Sequence, residues 1–329
     1  MNLENIMYKN PDWAKLSYNF IAIFSFFINT LGIYTIIHKS DRMGYYKYYL
    51  LSFQISSIFV DISFTLGCQL TFAFPIWAIT TSDGYFWKYF RIPSLAALTI
   101  LLSFLILQSS ILAAQFLEKH QTIMKLAKKE KYIFNSIWRL AILICIIIGS
   151  VFFLSIFYTS GMSRNEALKV FESKYPSVYH NFEQIEQFSY HDKSEILELV
   201  LYCVAFGLVV VSFVAFVISF HMLSTFRSIL HILSISKQSQ HKNTIISLFA
   251  QAIVLNVILI PLFALFADLY FGFENQNILI FHQLILSCHS TVNCVVYITT
   301  IKEYRIFVQQ ILTMKKLHVV YPAVVEISV

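Results

Sequence analysis

Between Tyr48 and Ser82 the chain carries a single charged side chain, Asp61. The flanking runs, Tyr48–Val60 and Ile62–Ser82, are uncharged and mostly apolar. About 20 such residues cross the roughly 30 Å of hydrocarbon in a bilayer. An ionisable group inside such a segment costs roughly 2.5–3.5 kcal/mol on insertion scales unless it faces protein or a water-lined interior. Asp61 must therefore point into a bundle of other helices, and the rest of the chain has to supply it.

Apolar runs of membrane length recur. The predicted spans are Leu16–Ile37, Tyr48–Gln69, Ile92–Ala114, Leu140–Tyr158, Ile196–Phe220, Thr244–Phe266 and Asn277–Thr300. Only 13% of residues are charged, against about 25% in a soluble domain. The expectation is an all-α, seven-transmembrane helix bundle at 16–300, with a polar N-terminal segment at 1–15 and a tail at 301–329. The first segment lacks the basic n-region of a cleaved signal peptide. Pro93 falls at the first turn of the third span, and Pro261 lies inside the sixth, where it removes a helical hydrogen bond and bends the helix. Thr159–Glu195 is the longest hydrophilic stretch, and Ser163 with Glu166 forms a capping-box pattern that predicts a short helix. In the tail, Phe307, Val308, Ile311, Met314 and Leu317 recur at helical spacing beside Lys315 and Lys316, as in a helix lying in the membrane interface. The five cysteines offer neither a facing loop pair nor metal-ligand spacing and read as small packing residues.

Lysine and arginine set the orientation, because positive residues stay cytoplasmic. Sixteen of the 24 fall on segments that share a face with the C-terminus, and eight on the other. The N-terminus is expected outside and the C-terminus inside. The basic inner face also accounts for the +6 net charge, so no nucleic-acid partner is needed.

Pores and pumps show rings or chains of charge along a path, whereas Asp61 is the only acid well inside a span. Counting along the helices at about 1.5 Å per residue places Asn29, Asp61, His289 and Asn293 at similar depth. His289 and Asn293, four apart, share a helix face. They are expected to form a buried polar cluster that repacks between off and on states, or a static staple between helices. Gln251 and Pro261 join this switch group, with the bend at Pro261 as a hinge. A ligand pocket belongs in the outer half between spans, and its candidate lining is Phe64, Gln69, Thr99, Tyr202, Phe206, Phe263 and His282. With 32 Phe and 19 Tyr, a small apolar ligand fits. No nucleophile–base pair, glycine-rich phosphate loop or zinc-protease pattern occurs; neither catalysis, a cofactor nor a metal is expected.

The chain resembles the nematode seven-transmembrane chemoreceptors, serpentine receptor class I (Sri) and the related class H of the Str superfamily. The resemblance runs nearly end to end. It rests on Asn29-Thr-Leu-Gly-Ile-Tyr34, Tyr48-Tyr-Leu-Leu-Ser-Phe-Gln54 followed by Asp61, Phe116-Leu-Glu-Lys-His-Gln121, Gln251 with Pro261, and His289-Ser-Thr-Val-Asn-Cys294. Two patterns depart from the family: Ile301-Lys-Glu-Tyr-Arg305 replaces a Pro-Pro-Tyr-Arg-like turn, and the outer loop after the second span keeps Pro75 and Gly84-Tyr85 but spaces them widely. The Asp-Arg-Tyr and Asn-Pro-x-x-Tyr signatures of rhodopsin-like receptors are absent, and Glu118-Lys119 stands where the first would be. The resemblance implies an odorant or pheromone receptor in the plasma membrane of sensory-neuron cilia, coupled to a heterotrimeric G protein. Glu118, Lys119, His120, Gln121 and Arg227 are the candidate coupling residues, in inner loops at Glu118–Lys131 and Arg227–Lys242. A homo- or heterodimer stays open. The alternatives are a seven-helix ligand-gated cation channel of the insect odorant-receptor type, with its N-terminus inside, and an orphan transporter.

Overall fold

The computed structural model describes residues 6–40, 43–73, 76, 78–129, 136–192, 195–235, 238, 241–254 and 276–313. Helix α1 spans Asp12–Lys39, with Asp12 in its first turn and His38 and Lys39 in its last, each at the end where the helix dipole favours its charge. Ala14, Tyr18, Ser25, Asn29, Gly32 and Ile36 are buried and form one stripe at helical spacing. Leu16, Phe20, Ile23, Phe24 and Phe27 point outward. A helix with polar groups inward and large apolar groups outward is built for lipid, not water.

Helix α2 (Tyr46–Ile62) runs on as a π-helical turn, Ser63–Cys68, closed by Gln69 at φ 43°. The short helix α3 (Tyr85–Phe90) leads into α4, Ser94–Leu126, with Pro93 as its N-cap. The helix α5 covers Ser136–Ser160, and α8 covers Glu195–Ile229. A further helix, α9, covers residues 241–254. The last predicted span is divided into α10 (Gln276–Ser287) and α11 (His289–Thr300) by a turn at Cys288. Five helical stretches among the described residues are long and apolar enough to cross a membrane: Asp12–Lys39, Tyr46–Cys68, Ser94–Leu126, Ser212–Ile232 and Asn277–Thr300. Within α5, Ile147–Ser160 is a further apolar helical stretch among the described residues. Pro261 and Phe263 lie outside the described residues.

Two features differ from expectation. First, Glu118–Gln121 is not in a loop. At 33 residues, α4 is about 50 Å long, well over membrane thickness. Its buried stripe continues through Leu112, Phe116, Ile123 and Met124, so tertiary packing holds the extension helical. Arg227 likewise lies within α8. Second, the face of the bundle that bears the N-terminus carries a small mixed lid. Its strands are β1 (Thr71–Ala73), β2 (Ala78–Thr80), β3 (Gly161–Met162) and β4 (Phe188–His191). They form one antiparallel sheet in the order β1-β2-β4-β3. It joins the segment after α2 to the segment after α5.

Two helices complete the lid, α6 (Arg164–Lys174) and α7 (Pro176–Glu183). The predicted capping box is present: the Ser163 backbone N–H donates to Glu166 Oε2 at 2.9 Å. Arg164 donates from Nε to the Ile185 carbonyl and from Nη2 to that of Glu183, both at 2.7 Å, satisfying acceptors at the α7 C-terminus. The lid has its own core. The Phe171 ring meets Phe182 at 4.5 Å, Tyr190 at 4.9 Å and Phe188 at 5.7 Å, and Ile6 packs into the same cluster. Cys68, Cys145, Cys288 and Cys294 are free thiols; aromatic packing, with no disulfide among the described residues, holds the lid together.

On the opposite face, α12 (Lys302–Leu312) takes in Phe307, Val308 and Ile311 of the amphipathic stretch, while Met314, Lys315, Lys316 and Leu317 lie outside the described residues. Tyr304 is buried between Ser40 and Met43, and Phe307 stacks on Tyr34 at 5.7 Å beneath Lys39, whose Nζ stands 4.8 Å above the ring.

Candidate functional site

Asp61 of α2 is 3% exposed; α1 and α11 supply its neighbours, and α4 joins the network through His289. Its Oδ2 accepts from the Ser25 hydroxyl of α1 and the Ser290 hydroxyl of α11, and from Asn29 Nδ2 at 3.2 Å. Asn29 also donates to Ser25 Oγ and Ser290 Oγ, both at 2.8 Å, and its Oδ1 accepts from Gln54 Nε2 at 2.5 Å. The other carboxylate oxygen, Oδ1, faces His289 Nδ1 at 3.7 Å. His289 Nε2 meets Gln108 Oε1 of α4 at 3.0 Å, and Gln108 Nε2 donates to Ser57 Oγ at 2.6 Å. Gln54, Ser57 and Asp61 all belong to α2, so the network closes on itself.

Hydroxyl and amide donors on one oxygen and an imidazole facing the other offset part of the several kcal/mol that an unpaired buried carboxylate would cost. The π-turn begins just after this group, with Thr65 Oγ1 donating to the Asp61 carbonyl at 2.6 Å. Single π-turns of this kind recur at functional sites. A crevice rimmed by Ala22, Phe26, Ile58 and Ile62 opens between α1 and α2 toward Ser25, Asn29 and Asp61.

Of the predicted switch residues, the structure brings Asn29, Asp61 and His289 together. Asn293 is buried one turn along α11, and its Oδ1 has no hydrogen-bond partner among the described residues. Gln251 is buried on α9, where its Nε2 donates to Ser247 Oγ at 3.4 Å. Ser25, Ser57, Ser290, Gln54 and Gln108 were not anticipated. Helical spacing held the signal: Ser25 lies four before Asn29, Ser57 four before Asp61 and Gln54 seven before it.

The predicted ligand-lining residues separate. Phe64 is buried in the π-turn with Tyr18, Leu98, Leu101 and Ile280. Gln69 is buried beneath β1 and donates to Asn19 Oδ1 at 3.3 Å. Thr99 is half-buried, its hydroxyl on the Leu95 carbonyl at 2.8 Å. His282 is half-buried, with Nδ1 unpartnered among the described residues. Tyr202 and Phe206, on α8, are 54% and 71% exposed, whereas these four are buried or half-buried.

At the face opposite the lid, Lys119, His120 and Gln121 are buried between helices, while Arg227 is exposed and Glu118 half-buried. Lys119 Nζ stands 3.2 Å from His241 Nδ1 of α9, and His120 Nε2 stands 3.1 Å from His221 Nδ1 of α8. These contacts tie α8 and α9 to α4.

Comparison with curated proteins finds no match. Comparison with protein families finds one over residues 4–308, taking in every helix from α1 to α11 and most of α12: the serpentine-type 7TM GPCR chemoreceptor family Sri. A buried polar group joining four helices, under a folded lid, is thus set in a multi-pass seven-transmembrane bundle, and the chain belongs to the Sri chemoreceptor family.

Proposed function

We propose that this chemoreceptor binds a small, largely apolar odorant or pheromone beneath the lid and transmits that binding to a heterotrimeric G protein at the opposite face. The lid face is then extracellular and the lysine-rich face cytosolic, in the plasma membrane, including that of sensory cilia. The observation that carries this reading is the Asp61 network, which couples α1, α2, α4 and α11 at one buried point between the two faces. Phe64, Gln69, Thr99 and His282 are the proposed ligand-side contacts.

A ligand that favours one packing of the network shifts an existing equilibrium by its differential affinity for the two states. Allosteric couplings of this kind amount to about 1–3 kcal/mol. In this conformation only Arg227 of the predicted coupling residues is exposed. Separation of α8 and α9 from α4 would break the Lys119–His241 and His120–His221 contacts and uncover Lys119, His120 and Gln121 for the partner.

Asp61→Asn tests the switch, since it keeps size and some hydrogen bonding but removes the carboxyl group that His289 faces. Cells expressing the full chain are screened with volatile and pheromone-like compounds, read by calcium and cyclic nucleotide, with surface protein quantified. The expected result is normal surface level with basal signal or ligand sensitivity changed by about fivefold or more. Unchanged signalling at normal surface level would make the network a static staple. An N-terminal tag reachable by antibody on intact cells supports the orientation; a buried one favours the channel alternative.

A further inference from the structure

His191 ends β4 on the inner side of the lid, in register with Gly161 of β3. It is 3% exposed. Its ring lies against Phe157 of α5, with centroids 4.8 Å apart. The β-carbon that Gly161 lacks would stand 3.0 Å from His191 Cε1 and 2.5 Å from Leu95 Cδ1 of α4. The ring is therefore held where the lid meets the ends of α4 and α5.

Its two nitrogens differ. Nδ1 stands 3.4 Å from Ser160 Oγ, and Ser160 donates its own hydroxyl hydrogen to the Phe157 carbonyl at 3.0 Å. Toward His191 that oxygen can only accept, which places the ring proton on Nδ1. Burial pushes the His191 pKa down to about 4, so the ring stays neutral at physiological pH. Nε2 is then a lone-pair acceptor. It is buried and has no hydrogen-bond partner among the described residues, and a buried polar atom in that state calls for a partner.

We propose that His191 Nε2 is the polar anchor of the ligand site, accepting a hydrogen bond from a neutral hydroxyl on an otherwise apolar molecule. An alcohol or phenol is favoured over a hydrocarbon or ether, which has no donor to offer. It is also favoured over a cation, which would lose its hydration beside Phe157 and Leu95. The proposal rests on the reading that the lid covers a small-molecule site, and it names the chemistry of that ligand.

The test challenges cells expressing the full chain with a series of alkanols and alkylphenols, each paired with its methyl ether. Surface protein is quantified in parallel. The hydroxyl member of each active pair should act at a concentration about tenfold lower than its ether. His191→Phe keeps a ring against Phe157 but no acceptor, and should collapse that preference to about twofold or less. His191→Gln, whose Oε1 reaches the same region, should keep part of it. Gly161→Ala crowds the ring edge between the two nitrogens and should weaken the preference even if His191→Phe fails to reach the surface. Parent responses that ignore the hydroxyl, or a preference unchanged in both His191→Phe and Gly161→Ala, overturn the anchor and leave the receptor reading standing. Silence of the parent chain toward every probe at normal surface level counts against the small-ligand reading itself, and the anchor falls with it.

Discussion

At Gly32 the helices α1 and α11 approach so closely that a β-carbon would overlap the Tyr297 hydroxyl and stand 2.5 Å from Cys294 Sγ and 3.1 Å from Tyr297 Cζ. Neither neighbour has room to move. Tyr297 is 1% exposed and packs edge-on against Tyr304 at 5.9 Å. The Cys294 thiol donates to the Ile28 carbonyl at 3.2 Å and contacts Tyr297 Oη at 3.1 Å. Overpacking of this kind costs about 1–3 kcal/mol, and losing the thiol–hydroxyl contact adds up to about 1 kcal/mol. Against this, alanine is about 1 kcal/mol better than glycine inside a helix. Gly32→Ala is therefore expected to destabilise by roughly 0–3 kcal/mol. Gly149→Ala is the matched control. A β-carbon there meets nothing within 4 Å, so only the helix preference acts, and the change should stabilise by about 1 kcal/mol or less. Thermal unfolding of the purified full chain in detergent, followed with a thiol-reactive dye, reports both, because Cys68 and Cys294 are buried until the bundle opens. Adding Tyr297→Phe to Gly32→Ala removes the overlapping hydroxyl and should recover part of the loss. A Gly32→Ala protein that melts at or above the Gly149→Ala protein would refute the close-packing argument.

Two further predictions concern the lid. The His191 pKa of about 4 lies below the ordinary value of about 6.5, so between these pH values the unfolded lid binds a proton that the folded lid does not. Lid stability should be constant above about pH 6.5, fall by about 3 kcal/mol as pH drops to about 4, and then level off. Hydrogen exchange of residues 161–191 across that range checks it, and a slope that persists unchanged in His191→Phe would assign the effect to another group. Phe171, fully buried among three aromatic rings, should cost the lid about 3–5 kcal/mol when replaced by alanine. Limited proteolysis should then cut within 161–191 while the dye-monitored melting of the bundle stays near the parent; an equally protected lid contradicts the account.

The same buried network explains why the serpentine bundle keeps a carboxylate in a lipid-bound segment at all. Ser25, Asn29 and Ser290 surround one oxygen of Asp61, and His289 faces the other. A carboxylate held from two other helices, α1 and α11, changes partners only when those helices move relative to α2. Asp61→Asn alters the contacts to both helices at once, which makes it the most informative single substitution at this site.

Much was legible along the chain. The apolar runs are local, so five of the predicted spans reappear as long apolar helices; the first, second and seventh keep their ends to within a few residues, while the third and fifth run further at their C-terminal ends. Ser163 and Glu166 announced α6, the tail spacing announced α12, and the lone acid among apolar residues announced a buried polar group that Asn29 and His289 join. What only tertiary structure decided depends on partners far apart in sequence. Strand pairing of Ala78 with Tyr190 leaves no local periodicity in strands of two to four residues, so the sheet of the lid was invisible. The continuation of α4 through Glu118–Leu126 depends on neighbours that bury Phe116, Ile123 and Met124. The outward facing of Tyr202 and Phe206 depends on how α8 is rotated against α4, which similar apolar residues all round that helix do not reveal. Ser25 and Ser290 are small and weakly polar, and they become part of the site only because folding carries two distant helices to the same carboxylate.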